Sequence, residues 1–331
     1  MGKLKLNLAC GSYDRTRALM DGTVQIEGVE LNYIPLGPSE LFWRMLNNEE
    51  FDVSEMSLSS YTIMRSEGDY RFIALPVFPS RIFRHSCVYI HPDSGIRSPE
   101  DLRGRRVGVG DYQMTAAVWA RGFLQQDYGI KPEDMHWVTG TPVRQIRMPE
   151  GLRIESMQPG QSLDHLLEAG EIDALISVII PPAFIGGSPG IQRLFPDSRK
   201  VERDYYERTG IFPIMHTLVM KSRLLETEPW LPVSIYKAFL QAKEINYRSL
   251  YDTNALKASL PWLIDELERL REVFGEDIWN YSIEGSRPTL EAFVAHMDEQ
   301  GLTRRKMGVE ELFVPNISEN LARYLRSIGE V

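Results

Sequence analysis

Short runs in which apolar and polar residues alternate recur through the first half of the chain. Leu4, Leu6, Leu8 and Cys10 alternate with polar or small residues, and this period of two predicts a half-buried β-strand over 3–10. Similar apolar runs, bounded by residues that favour turns, predict further strands at 29–36, 51–56, 70–78, 85–91, 105–109 and 212–222.

Segments with helical periodicity lie between these strands. They predict helices at 39–47 and 113–128, and Gly129 is expected to end the second of these. After residue 222 the pattern is mostly helical, including a terminal helix near 318–328. Strands that alternate with helices favour an α/β fold.

The length of 331 residues is more than one hydrophobic core usually serves, which predicts two lobes. We expect lobe 1 to comprise 1–104 plus 217–331, including the helical tail, and lobe 2 to comprise 105–216. Open α/β sheets bind ligands beyond the carboxyl ends of their strands. A ligand cleft is therefore predicted between the lobes.

The formal net charge of −9 argues against nucleic acid as the main partner, because the basic surface that such a protein needs is missing. Any anion site must rest on a local cluster of cations. No apolar run reaches the ~18 residues of a membrane helix, and the first residues look like a strand rather than a secretory signal. We expect a cytoplasmic protein with two buried, reduced cysteines; a homo-oligomer is left open.

Six motifs in this order resemble the 4,5-dihydroxyphthalate decarboxylase family: GSYDRTRAL (11–19), FDVSEMSLSSY (51–61), FPSRIFRHSC (78–87), DLRGRRVGVGDYQMTAAVWARG (101–122), GEIDALI (170–176) and FPIMH (212–216). The resemblance covers most of residues 1–245. It implies a type 2 periplasmic-binding-protein-like fold, with a mixed sheet flanked by helices in each lobe. Gly110 stands where the family pattern has proline, so a looser turn is expected there.

The resemblance also implies a reaction, the loss of one carboxylate from 4,5-dihydroxyphthalate to give protocatechuate and CO2. Each ring hydroxyl lies para to a carboxyl-bearing carbon, so the ring itself can accept the electrons and no organic cofactor is expected. The protein must hold the retained carboxylate, help to deprotonate the hydroxyl and supply a proton to carbon. No zinc-site spacing occurs in the sequence; a divalent ion at the catechol stays open.

The stretch FPSRIFRHSC places Arg81, Arg84 and His85 among apolar residues. Arginine suits forked contact with a carboxylate, and histidine can carry a proton near neutral pH. We expect both arginines to bind substrate and His85 to be catalytic. The alternatives are an arginine paired with Glu55 or Asp52, and a histidine that only fills the core.

Two other segments offer acids, cations and hydroxyls at predicted strand ends. Glu55 lies among apolar residues, and burial is expected to raise its pKa and make it a proton donor. Ser57 and Arg15 are expected to bind substrate. The alternatives are a salt bridge for Glu55 and a surface position for Arg15.

The predicted helix at 113–128 begins close to a strand end, and its positive end suits a carboxylate. Tyr112, Gln113 and Thr115 are therefore substrate-binding candidates, unless they only cap the helix. His216 lies where the chain is expected to return from lobe 2 to lobe 1. It is a candidate base for the hydroxyl proton, or else a core residue.

A basic cluster of Arg144, Arg147 and Arg153 is interpreted as an exposed loop or a contact of a lid. For the whole chain, two alternatives to the decarboxylase remain. One is a solute-binding protein for a small aromatic carboxylate. The other is a related enzyme or pyrimidine-type binding protein that acts on another substrate.

Overall fold

The computed structural model describes residues 2–141, 151–315 and 317. Arg144, Arg147 and the predicted helix near 318–328 lie outside these residues, and Arg153 lies on an exposed strand. The described strands are β1 Leu4–Cys10, β2 Val29–Pro35, β3 Val53–Ser57, β4 Phe72–Arg81, β5 Val88–Ile90, β6 Arg106–Val109, β7 His136–Thr139, β8 Arg153–Ser156, β9 Ala174–Ile176, β10 Gln192–Arg193 and β11 Ile214–Lys221.

Helices separate most of these strands, as the alternating pattern predicts. They are α1 Arg17–Met20, α2 Pro38–Asn48, α3 Leu58–Ser66, α4 Thr115–Tyr128, α5 Leu163–Glu168, α6 Pro182–Ile185, α7 Ser198–Thr209, α8 Ser222–Thr227, α9 Leu231–Leu250, α10 Leu263–Phe274 and α11 Arg287–Glu299. Gly129 ends α4 in the left-handed conformation, where glycine carries no Cβ penalty.

The first sheet has the strand order β2-β1-β3-β11-β4. Strands β2, β1 and β3 are parallel, whereas β11 is antiparallel to both β3 and β4. One face of β1 is buried and the other is exposed: Leu6 and Leu8 are buried, while Lys5 and Asn7 are exposed. This explains the alternation of apolar and polar residues that predicts the strand.

The second sheet has the order β10-β5-β9-β6-β7-β8. Its centre is parallel, and at one side β5 runs antiparallel to both of its neighbours, β9 and β10. Two mixed sheets flanked by helices confirm the predicted fold class.

The chain crosses between the sheets twice. Sheet membership places the first crossing between Arg81 and Val88, and the second between Arg193 and Ile214. The predicted boundary at residue 104 grouped Val88–Ile90 with the first lobe, but this strand pairs with β9 and so belongs to the second sheet. The predicted strand at 85–91 is also shorter, because His85–Cys87 forms a 3-10 turn.

Both cysteines are free and buried, as predicted. The C-terminal part of the chain packs back on the first sheet: the Tyr61 hydroxyl donates to the Leu312 carbonyl at 2.5 Å, and the Val314 N–H donates to the Ala74 carbonyl at 2.8 Å. No helix in the described ranges is both long and apolar enough to span a membrane.

Candidate active site

The Glu55 carboxylate lies at the edge where β1 and β3 end and β11 begins. It is fully buried, and both of its oxygens accept hydrogen bonds. Oε1 accepts from the Tyr13 hydroxyl at 2.7 Å and lies 2.5 Å from His216 Nδ1. Oε2 accepts from the Gly11 N–H at 2.8 Å and from the Cys10 thiol at 3.4 Å.

These contacts overturn the expected rise in the pKa of Glu55. Burial does raise the pKa of this carboxyl, but the hydrogen bond and charge of His216, with the donors from Tyr13 and Gly11, outweigh it and leave the pKa below the ordinary value of 4.5. Hydrogen bonds to a charged form stabilise that form. Glu55 is therefore built as an ionised acceptor, which does not favour the predicted role as proton donor.

His216 is the group that Glu55 orients. Its Nδ1 donates to the carboxylate, which leaves Nε2 to exchange a proton with a ligand. The side chain is 16% exposed, so solvent reaches the imidazole. The ring of Phe42 meets it edge-on, with the centroids 4.9 Å apart, and so fixes the plane of the imidazole from the side of α2.

The turn that follows β1 places Tyr13 against the Glu55–His216 pair. A Cβ on Gly11 would lie 2.6 Å from the Tyr13 ring, so only glycine lets the ring fold back over the end of the strand. The same residue supplies its N–H to Glu55. The GSY sequence at 11–13 thus builds one wall of the site.

Three hydroxyls meet where the two sheets approach each other. Ser57 Oγ lies 3.0 Å from Thr115 Oγ1, and Ser59 Oγ lies 3.1 Å from each of these oxygens. Ser57 is also the cap of α3, accepting from the Ser60 N–H at 3.4 Å, and it is the register partner of His216.

This hydroxyl cluster joins the N-terminal ends of α3 and α4. Helix α3 follows a strand of the first sheet, and α4 follows a strand of the second. Helix N-termini carry free N–H groups and a partial positive charge. The Ser59 and Ser60 N–H groups of α3 already donate to Thr115 Oγ1 and Ser57 Oγ, so it is the positive ends of the two helices and the hydroxyls that suit a carboxylate. The cluster lies beside His216 because Ser57 and His216 are paired on adjacent strands.

Arg84 is buried and forms no ion pair among the described residues, although its charge acts on the Glu202 carboxyl. Its Nε donates to Met215 Sδ at 3.2 Å, and Nη1 donates to Cys87 Sγ at 3.5 Å. Sulfur is a weak acceptor, so these two contacts do not prevent the guanidinium from binding a carboxylate. Met215 precedes His216, which places Arg84 beside the start of β11.

Arg81 is committed to the protein itself. It donates to the carbonyls of Phe212 and Asn280, at 3.3 and 2.8 Å, and to the Ser286 hydroxyl at 2.5 Å. Burial lowers its pKa to about 10. These neutral partners tie the end of β4 to the C-terminal region, which does not favour the predicted role in binding substrate.

His85 lies away from the Glu55–His216 pair. Its imidazole stacks on Phe123, with the centroids 3.9 Å apart, and meets Phe195 and Tyr205 edge-on. Neither ring nitrogen has a hydrogen-bond partner among the residues that the structure describes, and burial lowers the pKa of His85 to about 4. A neutral imidazole inside an aromatic cluster matches the core alternative rather than catalysis.

Tyr112 is a core residue, because its ring lies 3.8 Å from the guanidinium carbon of Arg121 and is fully buried. Gln113 is buried just before α4, and its N–H donates to Asp111 at 2.9 Å. The Arg15 guanidinium stacks on the Trp279 ring at 3.7 Å and pairs with Asp14 at 2.8 Å. Of the predicted site residues, the structure brings together Glu55, His216, Ser57 and Thr115.

Three residues at the site were missed from the sequence. Tyr13 and Ser59 lie inside motifs already singled out, so their position directly after a strand end was the available signal. Phe42 offered none, since an aromatic residue on an amphipathic helix ordinarily predicts core. No group of three or more His, Cys, Asp and Glu side chains within 2–141, 151–315 and 317 is arranged to hold a metal ion.

Sequence comparison finds relatives of this chain, one of them over nearly its full length. It is 42% identical over 322 residues to the 4,5-dihydroxyphthalate decarboxylase of Comamonas testosteroni, covering 95% of this chain and 98% of that protein. It is 40% identical over 213 residues to the 4,5-dihydroxyphthalate decarboxylase of Pseudomonas putida, covering 62% and 83%.

Two further comparisons concern the fold. Residues 17–145 match the family described as ABC transporter, phosphonate, periplasmic substrate-binding protein. The structure superposes on the periplasmic aliphatic sulphonate binding protein SsuA from Escherichia coli with a TM-score of 0.55 and 13% identity, covering 96% and 99% of the two chains. On this fold, and with 42% identity over nearly its full length, the chain belongs to the 4,5-dihydroxyphthalate decarboxylase family.

Proposed function

We propose that this protein is a cofactor-independent carboxy-lyase that converts 4,5-dihydroxyphthalate to protocatechuate and CO2. The observation that carries the proposal is the Glu55–His216 pair, with Oε1 and Nδ1 2.5 Å apart, beside a cluster of hydroxyls at two helix ends. A site that only binds needs donors for an anion, but it does not need a buried carboxylate that orients an imidazole.

The hydroxyl cluster and Arg84 hold the carboxylates of the substrate. Ser57, Ser59 and Thr115 offer hydroxyls at the positive ends of α3 and α4, and Arg84 offers a guanidinium that donates to the sulfur atoms of Met215 and Cys87 and forms no ion pair within the described residues. Charged hydrogen bonds of this kind contribute about 1.5–3 kcal/mol each.

His216 Nε2 accepts the proton of the hydroxyl that is para to the departing carboxylate. The ionised Glu55 stabilises the imidazolium that forms, as a carboxylate paired with histidine does in other general bases. Electron density then moves to the carbon that bears the carboxylate, and this carbon takes a proton from solvent. The C–C bond breaks, CO2 leaves as the ring regains aromaticity, and His216 returns its proton to the oxygen. The net reaction consumes one proton.

Purified protein mixed with 4,5-dihydroxyphthalate should release CO2 without added cofactor or metal, including in the presence of a chelator. Binding without CO2 release would instead favour a solute-binding protein, the function named for SsuA on the same fold. CO2 release that a chelator abolishes would contradict the cofactor-independent reaction. A cytoplasmic location belongs to this proposal, and fractionation of cells tests it.

A further inference from the structure

An exposed aliphatic segment, residues 178–180, follows β9 of the second sheet. Val178, Ile179 and Ile180 are 51%, 71% and 47% exposed, although residues of this type are usually buried. The turn before them is ordered, since the Ser177 hydroxyl donates to the Ile179 carbonyl at 2.5 Å and accepts from the Ile179 N–H at 3.2 Å. The aliphatic side chains are therefore presented by a defined turn.

The register of the second sheet places this segment next to the site. Ile176 at the end of β9 pairs with Val109 at the end of parallel β6, so both strands lead out at one edge. From β6 the chain turns into α4, whose first residue Thr115 contacts Ser57. Residues 178–180 consequently flank the hydroxyl cluster from the side of the second sheet.

The guanidinium of Arg84 adjoins the same segment. The Ser177 N–H donates to the Cys87 carbonyl at 3.0 Å, and the Cys87 thiol accepts from Arg84. In the part of the chain that the structure describes, a cation that forms no ion pair and a run of aliphatic side chains thus lie side by side. Binding pockets commonly combine an apolar wall with one charged group that fixes orientation.

We propose that Val178 and Ile180 form the wall against which the ring of the bound dicarboxylate packs, and that they select aromatic over ring-free dicarboxylates. This inference rests on the proposed function for its substrate class, but not for turnover. A contact between subunits would also cover aliphatic side chains, but it would not require the neighbouring cation. The cation and the position at the strand ends favour the ring.

The test compares two vicinal dicarboxylates that differ in the ring, phthalate and maleate, by titration calorimetry on the full chain. Wild type should bind phthalate more tightly. Val178→Asn and Ile180→Asn should each raise the Kd for phthalate by about tenfold, the change that a loss of about 1.4 kcal/mol represents, and leave the Kd for maleate unchanged. Ile185→Asn is the matched control, because Ile185 is 72% exposed at the end of α6, and it should change neither constant.

Three results would overturn the inference. Phthalate affinity that survives both substitutions, or that is absent in wild type, would exclude a wall for the ring. Equal weakening of phthalate and maleate would point to a general disturbance of the site. If light scattering showed that Val178→Asn or Ile180→Asn changes the number of subunits while phthalate binding stays intact, the segment would be assigned to a subunit contact. Phthalate lacks the ring hydroxyl that the proposed reaction needs, so a failure of CO2 release leaves this test standing.

Discussion

Glu55 and His216 form a buried carboxylate–imidazole contact across two neighbouring strands, with Oε1 and Nδ1 2.5 Å apart. Strand pairing enforces this contact, because Glu55 is the register partner of Leu218 and His216 is the register partner of Ser57. The two residues therefore lie diagonally across adjacent strands, two positions apart in register, where the backbone cannot shift without disturbing the hydrogen-bond ladder. Proton transfer benefits from such rigidity, since reacting groups must be held in place.

Glu55→Gln should lower kcat for CO2 release by at least about a hundredfold, the typical contribution of a positioned acid or base. The amide keeps the shape of the side chain but removes the charge that stabilises the imidazolium. Asp52→Asn is the control. Asp52 directly precedes β3, the strand that carries Glu55, but its carboxylate accepts from the Asn7 N–H rather than contacting His216. A Glu55→Gln enzyme with wild-type kcat, measured on folded protein, would exclude the pair from the chemistry.

Tyr13→Phe should move the acidic limb of the pH profile of kcat to higher pH. The Tyr13 hydroxyl is one of the donors that lower the pKa of Glu55, so its removal lets that pKa rise and the carboxylate protonate earlier on acidification. Tyr33→Phe is matched in size and removes a hydroxyl that bonds the Gly11 carbonyl rather than Glu55. An acidic limb that stays in place in Tyr13→Phe would show that Glu55 does not govern it.

Arg84→Gln and Arg81→Gln should separate substrate binding from stability. Loss of the Arg84 guanidinium should raise KM by about tenfold or more, because a charged hydrogen bond to the substrate is removed. Arg81→Gln should instead lower the free energy of unfolding by about 1–3 kcal/mol, since buried acceptors lose their donors. Steady-state kinetics and urea unfolding of both variants check this pair; the reverse pattern would restore Arg81 as the carboxylate ligand.

His85 should make folding sensitive to mild acid. Its pKa falls from 6.5 to about 4 on burial, so the unfolded chain binds more protons between these values and stability declines as pH falls from about 6.5 to 4. The decline due to His85 amounts to roughly 3 kcal/mol.

His85→Phe keeps a flat aromatic ring beside Phe123 and removes the titration, so its unfolding free energy should fall less steeply over this range. His136→Gln, a substitution on strand β7, serves as the control for replacing a histidine elsewhere. Parallel stability curves for wild type and His85→Phe, from urea unfolding at several pH values, would contradict the assignment.

The strands and helices were largely predictable because apolar spacing is a local property. The alternation of Leu4, Leu6 and Leu8 and the stop at Gly129 each depend on a few neighbouring residues, and the structure confirms both. The strand over 85–91 was predicted too long, since the 3-10 turn at His85–Cys87 forms in the segment that crosses to the second sheet.

The site was less predictable because its residues depend on partners that are distant in the chain. Burial of Glu55 was foreseeable, but the donors that reverse its pKa shift come from residues 10–13 and from His216. The aromatic shell of His85 likewise comes from residues 123, 195 and 205. A cluster of cations in sequence, as at 81–85, therefore separates into three environments once the chain folds.

The contact between Ser57 and Thr115 links α3 to α4. The part of the chain that forms the first sheet and the part that forms the second therefore each contribute only some of the hydroxyl cluster. Excising either half should leave an inert fragment even if that fragment folds, and evolution can tune turnover by altering how the halves meet while every polar group stays in place.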